Sequence, residues 1–249
     1  MWRLTAIVVA FVVVLAGMVF VAPARLVGIL LPPGQVVMQG FSGTVWQGEA
    51  ARALVKTDAG YLHLGSISWS LKPWSLLLLA PRAEFNSQWG TQTLSGDVAL
   101  HGQRDIDIHQ LQASLPADLL RQLAPLTVAG TLALQVEGVR VRDGLPREGS
   151  GRLVWQNARW QSPQAMLTLG SYVLEFEQAE GGALSGDVLT LSGPVKATGK
   201  LQLQHSDYAI DVLISGDPLD EQIQQALSLL AAPGPQGYRV KFNGALKGL

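Results

Sequence analysis

The 249-residue chain contains no cysteine. This absence excludes disulfide bonds, thiolate catalysis and cysteine-ligated metal sites, so the fold must be stabilised by its core alone. The chain also lacks a large net charge, because its 18 basic and 19 acidic residues give a net charge of −1. No basic run occurs, and binding to nucleic-acid phosphates needs clustered Lys and Arg. The composition therefore argues against nucleic acid as a partner.

Recognisable catalytic and cofactor motifs are also missing. The sequence has no HExxH zinc motif, no GxSxG nucleophile elbow and no glycine-rich phosphate loop. Two carboxylate pairs, Asp105 with Asp107 and Glu175 with Glu177, have the spacing of one strand face, which is typical of the solvent side of a sheet. The four histidines share no metal-ligand spacing; they are His63, His101, His109 and His205. We therefore predict no catalytic residue, no metal site and no cofactor.

What the sequence does contain is a long hydrophobic run at residues 4–22. The run carries no charge, and Thr5 is its one polar side chain. A hydrocarbon core about 30 Å thick is crossed by roughly 20 helical residues, so the run has the length of a transmembrane helix. We predict that residues 1–3 form a cytoplasmic tail, that residues 4–22 cross the bilayer once, and that the remaining chain is translocated.

A cleaved signal peptide is the alternative to a retained anchor. Ala22-Pro23-Ala24 resembles a small-residue cleavage site. The hydrophobic run is longer than the usual signal-peptide core of roughly 7–15 residues, which favours retention. Both alternatives place the remaining chain on the far side of the membrane.

The body of the protein is predicted over residues 36–249, after an apolar linker at residues 23–35. Many of the 27 glycines in the chain punctuate short alternations of apolar and polar residues, as expected of strands joined by turns. No helix alternates regularly with these strands, which argues against a parallel α/β sheet. We therefore predict a mainly β fold, either an antiparallel, curved β-sheet or a sandwich-like body. Short helices are predicted at residues 73–80, 116–124 and 219–232, the last with Asp217 as its N-cap.

Two short sequences recur within the body. Leu94–Val98 and Leu184–Val188 both read LSGDV, and Val45–Gln47 is repeated as Val154–Gln156. One interpretation is two β-rich halves of related design, at about residues 36–125 and 126–249. The other is convergent turn chemistry, because Ser-Gly-Asp suits any tight β-turn.

The order of several motifs resembles the N protein family of the bacterial type II secretion system. The motifs are Leu31–Gly34, Gly43–Gly48, Ile67–Leu77, Gly130–Leu134 and Gly151–Ala158. Each motif is weak alone, and their order and spacing along the whole chain carry the resemblance. The residues to which it gives structural roles are Gly43, Thr44, Trp46, Gly48, Trp69, Pro73 and Trp155.

The resemblance implies a single-pass inner-membrane protein with a periplasmic domain and no catalytic residues. Such a protein assists the export of folded proteins from the periplasm across the outer membrane, with other type II secretion subunits as partners and the bilayer contacted through residues 4–22. The alternative is a lipid-handling or envelope-assembly protein similar to the AsmA-like family, with a lipid ligand. The feature that distinguishes the two is a sheet that presents a continuous apolar face.

Overall fold

A computed structural model divides the chain into two compact units, Met1–Gly90 and Thr91–Leu249. Both units are built mainly from antiparallel strands, which confirms the predicted mainly β fold. The structure describes residues 11, 17–31, 34–57, 60–77, 80–102, 105–122, 127–143, 145–162, 165–179, 182–216, 219–229, 231 and 233–245.

The N-terminal hydrophobic run is described only in part. Most of the predicted transmembrane helix falls on residues 1–10 and 12–16, which lie outside the described residues. Among the residues that the structure does describe, none belongs to a helix with the length and hydropathy needed to cross a bilayer. Residues 17–20 are helical and exposed. The chain then continues through a 3₁₀ helix, Ala24–Leu26, and the one-turn helix α1, Val27–Leu30.

The first unit contains a four-stranded sheet in which every strand pairs antiparallel with its sequence neighbour. Its elements are β1 (Val36–Gly43), β2 (Gln47–Thr57), β3 (Gly60–Leu71), the short helix α2 (Pro73–Leu77) and β4 (Arg82–Trp89). The register between β2 and β3 shifts where Ala53 faces Gly65, and Gly65 has a left-handed φ of 74°. This shift is a β-bulge in the pairing of the two strands.

Strand β4 has a sequence with low intrinsic strand propensity. Its sequence, RAEFNSQW, is rich in residues that are depleted in strands. The strand forms because β3 supplies a partner, with Trp69 opposite Phe85 and Leu71 opposite Ala83. Alternate residues of β4 turn inward, ending at Ser87, which is buried and donates its hydroxyl to the Leu64 carbonyl at 2.6 Å.

The second unit contains a larger antiparallel sheet with its strands in the order β5 to β12, then β14 and β13. Within each unit the described strands lie side by side in one sheet, so the sandwich-like alternative is wrong. The strands are β5 (Gln92–Leu100), β6 (Ile106–Pro116), β7 (Val128–Arg142), β8 (Leu145–Gln161), β9 (Met166–Gln178), β10 (Leu184–Ser192), β11 (Lys196–Gln204), β12 (Asp207–Ser215), β13 (Pro233–Gly234) and β14 (Gly237–Ala245).

Helical structure in the second unit is shorter than predicted. The helix predicted at residues 116–124 is a 3₁₀ helix, Ala117–Gln122. The helix predicted at residues 219–232 is α3, Glu221–Ser228. The expected cap, Asp217, lies outside the described residues. Asp220 caps α3 instead, because its carboxylate accepts a hydrogen bond from the Gln222 amide at 2.9 Å.

The apolar stripe of α3 packs on the sheet, as the sequence predicted. Ile223 and Leu227 are buried against Val195. Side chains from β8, β9, β12 and β14 surround this cluster, including Trp160 and Tyr238. Helix α3 therefore covers one end of the sheet face that it contacts.

Candidate functional site

The turn between β1 and β2 brings together four of the seven residues that carry the resemblance. Gly43 has a left-handed φ of 81°, and a Cβ there would lie 2.5 Å from the Gln47 carbonyl oxygen. The Thr44 amide donates to that carbonyl at 2.8 Å, while the Thr44 hydroxyl accepts from the Gln47 amide at 3.1 Å. These bonds close a tight turn that places Trp46 at its tip, with Gly48 as the second residue of the return strand β2.

Trp69 packs on this turn from β3. Its indole Nε1 donates to the Val45 carbonyl at 3.0 Å. A Cβ on Gly48 would lie 2.5 Å from the Trp69 ring and 2.6 Å from the Thr44 carbonyl oxygen, so only glycine fits beneath the indole. Phe41 meets the same ring edge-on, with the centroids 6.3 Å apart.

Trp46 connects the turn to the N-terminal hydrophobic run. Its indole Nε1 donates to the Val19 carbonyl at 2.9 Å, and its ring lies 6.2 Å from that of Phe20. The Val45 amide donates to the Ala22 carbonyl at 2.9 Å. The first hairpin is therefore attached to the last residues of the hydrophobic run by backbone and side-chain contacts.

Pro73 begins α2 immediately after β3, and its ring suits the first turn of a helix. Ser75 is buried and fixes this helix, because its hydroxyl donates to the Lys72 carbonyl at 2.5 Å and accepts from the Arg82 amide at 2.8 Å. The neighbouring Trp74 is 79 % exposed. Helix α2 is thus held tightly while its tryptophan faces outward.

Trp155 lies in the second unit, apart from the other six residues, but it makes a similar contact. Its indole Nε1 donates to the Ala129 carbonyl at 3.2 Å, beside Gly130, whose φ is 120°. The ring of Tyr172 lies 6.1 Å away and its hydroxyl donates to the Val195 carbonyl at 3.0 Å. Burial raises the pKa of Tyr172 to about 12.

One face of the second sheet is apolar along its whole width. Residues directly opposite each other on neighbouring strands share a face, so the register identifies continuous rows. One row crosses nine strands, and none of its residues is exposed. It consists of Leu94, Ala113, Leu134, Leu153, Leu174, Val188, Gly199, Val212 and Val240. We call this set the apolar row.

The opposite face carries a polar row across eight strands, and each of its residues is adjacent in sequence to a residue of the apolar row. Its charges mostly alternate in sign, so neighbours attract. The row consists of Gln112, Gln135, Arg152, Glu175, Asp187, Lys200, Asp211 and Lys241. Arg239 also donates twice to Asp211, at 2.7 and 2.8 Å, and this pairing holds the pKa of Asp211 below its usual value. The two faces of one sheet are therefore chemically opposite.

A depression of about 900 Å³ lies over the part of the polar row from Gln112 to Asp187. Arg152 lies in its lining and donates to the Gln135 side chain at 2.8 Å. Glu175 and Glu177 line the same depression and are exposed. This agrees with the prediction that they lie on the solvent side of a strand. Within the described residues, no group of three or more histidine or acidic side chains is arranged to hold a metal ion.

The other carboxylate pair has separate structural partners. Asp107 is mostly buried and accepts a hydrogen bond from Arg142 at 2.7 Å. Burial opposes its ionisation, but the hydrogen bond and charge of Arg142 outweigh this effect and lower the pKa of Asp107. Asp105 instead accepts the Asp143 amide at 3.2 Å. The prediction of two solvent-facing carboxylates is therefore wrong for Asp107, which turns toward Arg142.

The chain was compared with known proteins. The family model "Type II secretion system (T2SS), protein N" matches residues 34–241. The chain is 30% identical to the type II secretion system protein N of Aeromonas hydrophila, covering 95% of this chain and 96% of that protein. It is 29% identical to the protein of that name from Vibrio cholerae, with 93% of each chain covered. The Klebsiella pneumoniae protein is 30% identical over 80% of this chain and 77% of its own length. No solved structure matches the chain significantly.

Proposed function

This chain belongs to the family of type II secretion system protein N, and on that premise we propose that it is a non-enzymatic inner-membrane component of a type II secretion machinery. The observation that carries the proposal is the family match over residues 34–241, which covers both units of the fold. In this role residues 4–22 hold the protein in the inner membrane and the β-rich body lies in the periplasm. Other type II secretion subunits are its partners in exporting folded proteins.

The contacts of Trp46 support the retention of residues 4–22 as a membrane anchor over their removal as a signal peptide. The hairpin turn binds Val19 and Ala22, which lie at the end of the hydrophobic run. Cleavage after Ala24 would remove both groups and leave the indole of Trp46 without its acceptor. A buried polar group that loses its partner costs about 1–3 kcal/mol, and a partly exposed one costs less. The turn is therefore better satisfied when the run stays attached.

Topology and retention are tested together on the full chain with a C-terminal tag. Protease added to spheroplasts should destroy the tag, whereas intact cells should protect it. The intact mass should be that of the uncleaved chain. The control is the same body behind a known cleavable signal peptide, which should yield the shorter mass. A shortened mass from the native chain, or a tag protected in spheroplasts, would contradict the proposed anchoring.

The role in secretion is tested by deleting the gene from its native strain. Secreted enzymes should then accumulate in the periplasm, and expression of the full chain should restore their release. Cytoplasmic and periplasmic marker proteins control for lysis. Normal release in a clean deletion would argue against a required role.

A second function, the handling of lipid, is favoured by the apolar row. At 4.7–4.9 Å per strand, nine strands extend about 38 Å across the sheet. A hydrocarbon core of about 30 Å contains two opposed acyl chains, so a row of this length accommodates one chain of about 15 Å. Helix α3 covers only one end of this face within the described residues. The row therefore has the length and chemistry of an acyl-chain site.

This second function is tested by mass spectrometry of lipids that remain with the purified full chain. Bound phospholipid should decrease in Leu153→Asn, which places an amide in the middle of the apolar row. It should persist in Gln135→Asn, a control on the opposite face of the same sheet. Equal lipid in both variants, or none in the parent protein, would argue against a lipid site.

A further inference from the structure

Trp74 is the most exposed of the six described tryptophans. It is 79 % exposed, whereas Trp89 is 47 % exposed and the others are partly buried. A tryptophan side chain has 150–250 Å² of surface to bury, about the largest of any residue. Leaving it in water forfeits a large hydrophobic gain. Such a side chain, held outward on a fixed element, is suited to contact something other than its own chain.

Helix α2 cannot simply fold Trp74 away, because the backbone on both sides of it is pinned. The Lys72 amide donates to the Arg82 carbonyl at 2.9 Å, joining the residues that lead into and out of the segment. The Ser75 amide donates to the Lys72 carbonyl at 3.0 Å, and the Ala80 amide donates to the Ser75 carbonyl at 3.2 Å. The backbone that carries the exposed indole is therefore held in place in the first unit.

Trp74 lies at the end of the first sheet that is attached to the hydrophobic run. The Leu71 amide donates to the Trp46 carbonyl at 2.7 Å, and the Trp46 indole donates to the Val19 carbonyl at 2.9 Å. Trp74 is three positions after Leu71 in the chain, and three residues span at most about 11 Å. Phe20, at the end of the run, is itself 68 % exposed. The outward tryptophan and the end of the run thus lie at the same end of the first sheet.

The chemistry of this end matches the boundary of a bilayer. Tryptophan is enriched where hydrocarbon meets headgroups, because its ring is apolar and its N–H is polar. In the sequence Trp74 is followed by Ser75 and then four leucines, residues 76–79. The five residues of α2, Pro73–Leu77, extend about 7.5 Å, far short of the roughly 30 Å core, so this helix is too short to cross. It has the length of an element that lies in the interface.

We propose that α2 is a second membrane contact, in which Trp74 enters the interfacial layer of the bilayer beside the exit of the hydrophobic run. This inference rests on the proposed anchoring of residues 4–22. Lipid is favoured over a protein partner because Trp74 lies at the end of the first sheet to which that run is attached. With two contacts the first unit is held in one orientation on the membrane surface, whereas a single tether would let it rotate.

The absence of cysteine from the chain allows a direct test with single labelled positions. Full-length Trp74→Cys, Trp89→Cys and Met18→Cys are spin-labelled and reconstituted into vesicles of phosphatidylethanolamine and phosphatidylglycerol. Collision with oxygen reports lipid, and collision with a water-soluble nickel chelate reports solvent. Trp89 is the matched control, because it ends β4 at about 23 Å from Arg82, at 3.3 Å per residue. Met18 reports the anchor.

The label at position 74 should have a several-fold higher ratio of oxygen to nickel accessibility than the label at position 89. The label at position 18 should resemble that at position 74. A lipid-exposed label at 18 with a solvent-exposed label at 74 overturns this inference and leaves the anchor intact. Solvent exposure at both positions overturns the anchor and this inference together. A label at 74 shielded from both reagents indicates a protein contact and also overturns the inference.

Discussion

Trp46 donates its indole N–H to the backbone carbonyl of Val19 at 2.9 Å, joining residues that lie 27 positions apart. Val19 belongs to the hydrophobic run, and Trp46 stands at the tip of the first hairpin. The body of the protein therefore begins with a fixed joint.

Replacing Trp46 by Phe should loosen this joint. The substitution keeps an aromatic ring near Phe20 but removes the donor, at a cost of about 0.5–1.5 kcal/mol for one hydrogen bond. A spin label at position 18 of the full chain in vesicles should become measurably more mobile. The matched control is Trp89→Phe, since the structure gives the ring of Trp89 a contact with His63 at the far end of the sheet. Equal mobility of the spin label at position 18 in both variants would contradict a stabilising hydrogen bond between Trp46 and Val19.

Glycine at position 48 is required by the close approach of Trp69. In Gly48→Ala the new methyl would meet the indole at 2.5 Å and the Thr44 carbonyl oxygen at 2.6 Å. Overpacking of this kind costs typically about 1–3 kcal/mol. Denaturant unfolding followed by tryptophan fluorescence should show a lower midpoint. Gly102→Ala is the control, because its nearest neighbour would be the Asp105 Cβ at 3.8 Å, and its midpoint should stay near that of the parent.

Strand positions could be predicted from the sequence where apolar and polar residues alternate strongly. In β10, Leu184–Ser192, apolar Leu184 and Val188 alternate with polar Ser185 and Asp187. The sequence alone indicates β4 only weakly, because pairing with β3 stabilises a segment whose own strand propensity is low. The capping of α3 by Asp220 in place of Asp217 shows a similar limit, since either aspartate has the local chemistry of a cap.

The apolar and polar rows of the second sheet could not be predicted from the sequence, for a different reason. Alternation along one strand identifies its two faces, but a row across strands depends on register, and a one-residue slip reverses the faces. Leu174 is apolar and Glu175 is charged, so the sequence alone indicates that they face opposite sides of the strand. That Leu174 lies opposite Leu153 and Val188 is known only from the pairing. The same holds for the Trp46–Val19 contact, which no local pattern predicts.

The ion pair between Asp107 and Arg142 should make stability depend on pH. The pKa of Asp107 is lowered in the folded state, so its contribution is present above the unfolded-state pKa of about 3.9 and is lost as pH falls through the folded-state value. Asp107→Asn should therefore lower the unfolding midpoint at pH 7, and the difference from the parent should shrink below about pH 4. Asp187→Asn is the control, because Asp187 lies 4.0 Å from Lys200 with both side chains more than half exposed. A constant difference at all pH values would contradict an ionic contribution.

Leu174 and Glu175 are adjacent in β9 and face opposite sides of the second sheet, so they provide a paired test of the two rows. In Leu174→Lys an ammonium group enters the middle of the apolar row between Leu153 and Val188. Because burying an unpaired charge costs several kcal/mol and Leu174 is only partly buried, we expect a loss of about 2 kcal/mol or more in unfolding free energy.

Glu175→Gln changes the neighbouring exposed residue without altering its size, so its effect should stay within about 0.5 kcal/mol. Chemical denaturation of the two detergent-solubilised full-length variants gives both values under one set of conditions. Equal stability of the two variants would mean that Leu174 has free access to water, and the apolar row would then fail as a continuous face. A large loss in Leu174→Lys alone would support the register that aligns the row.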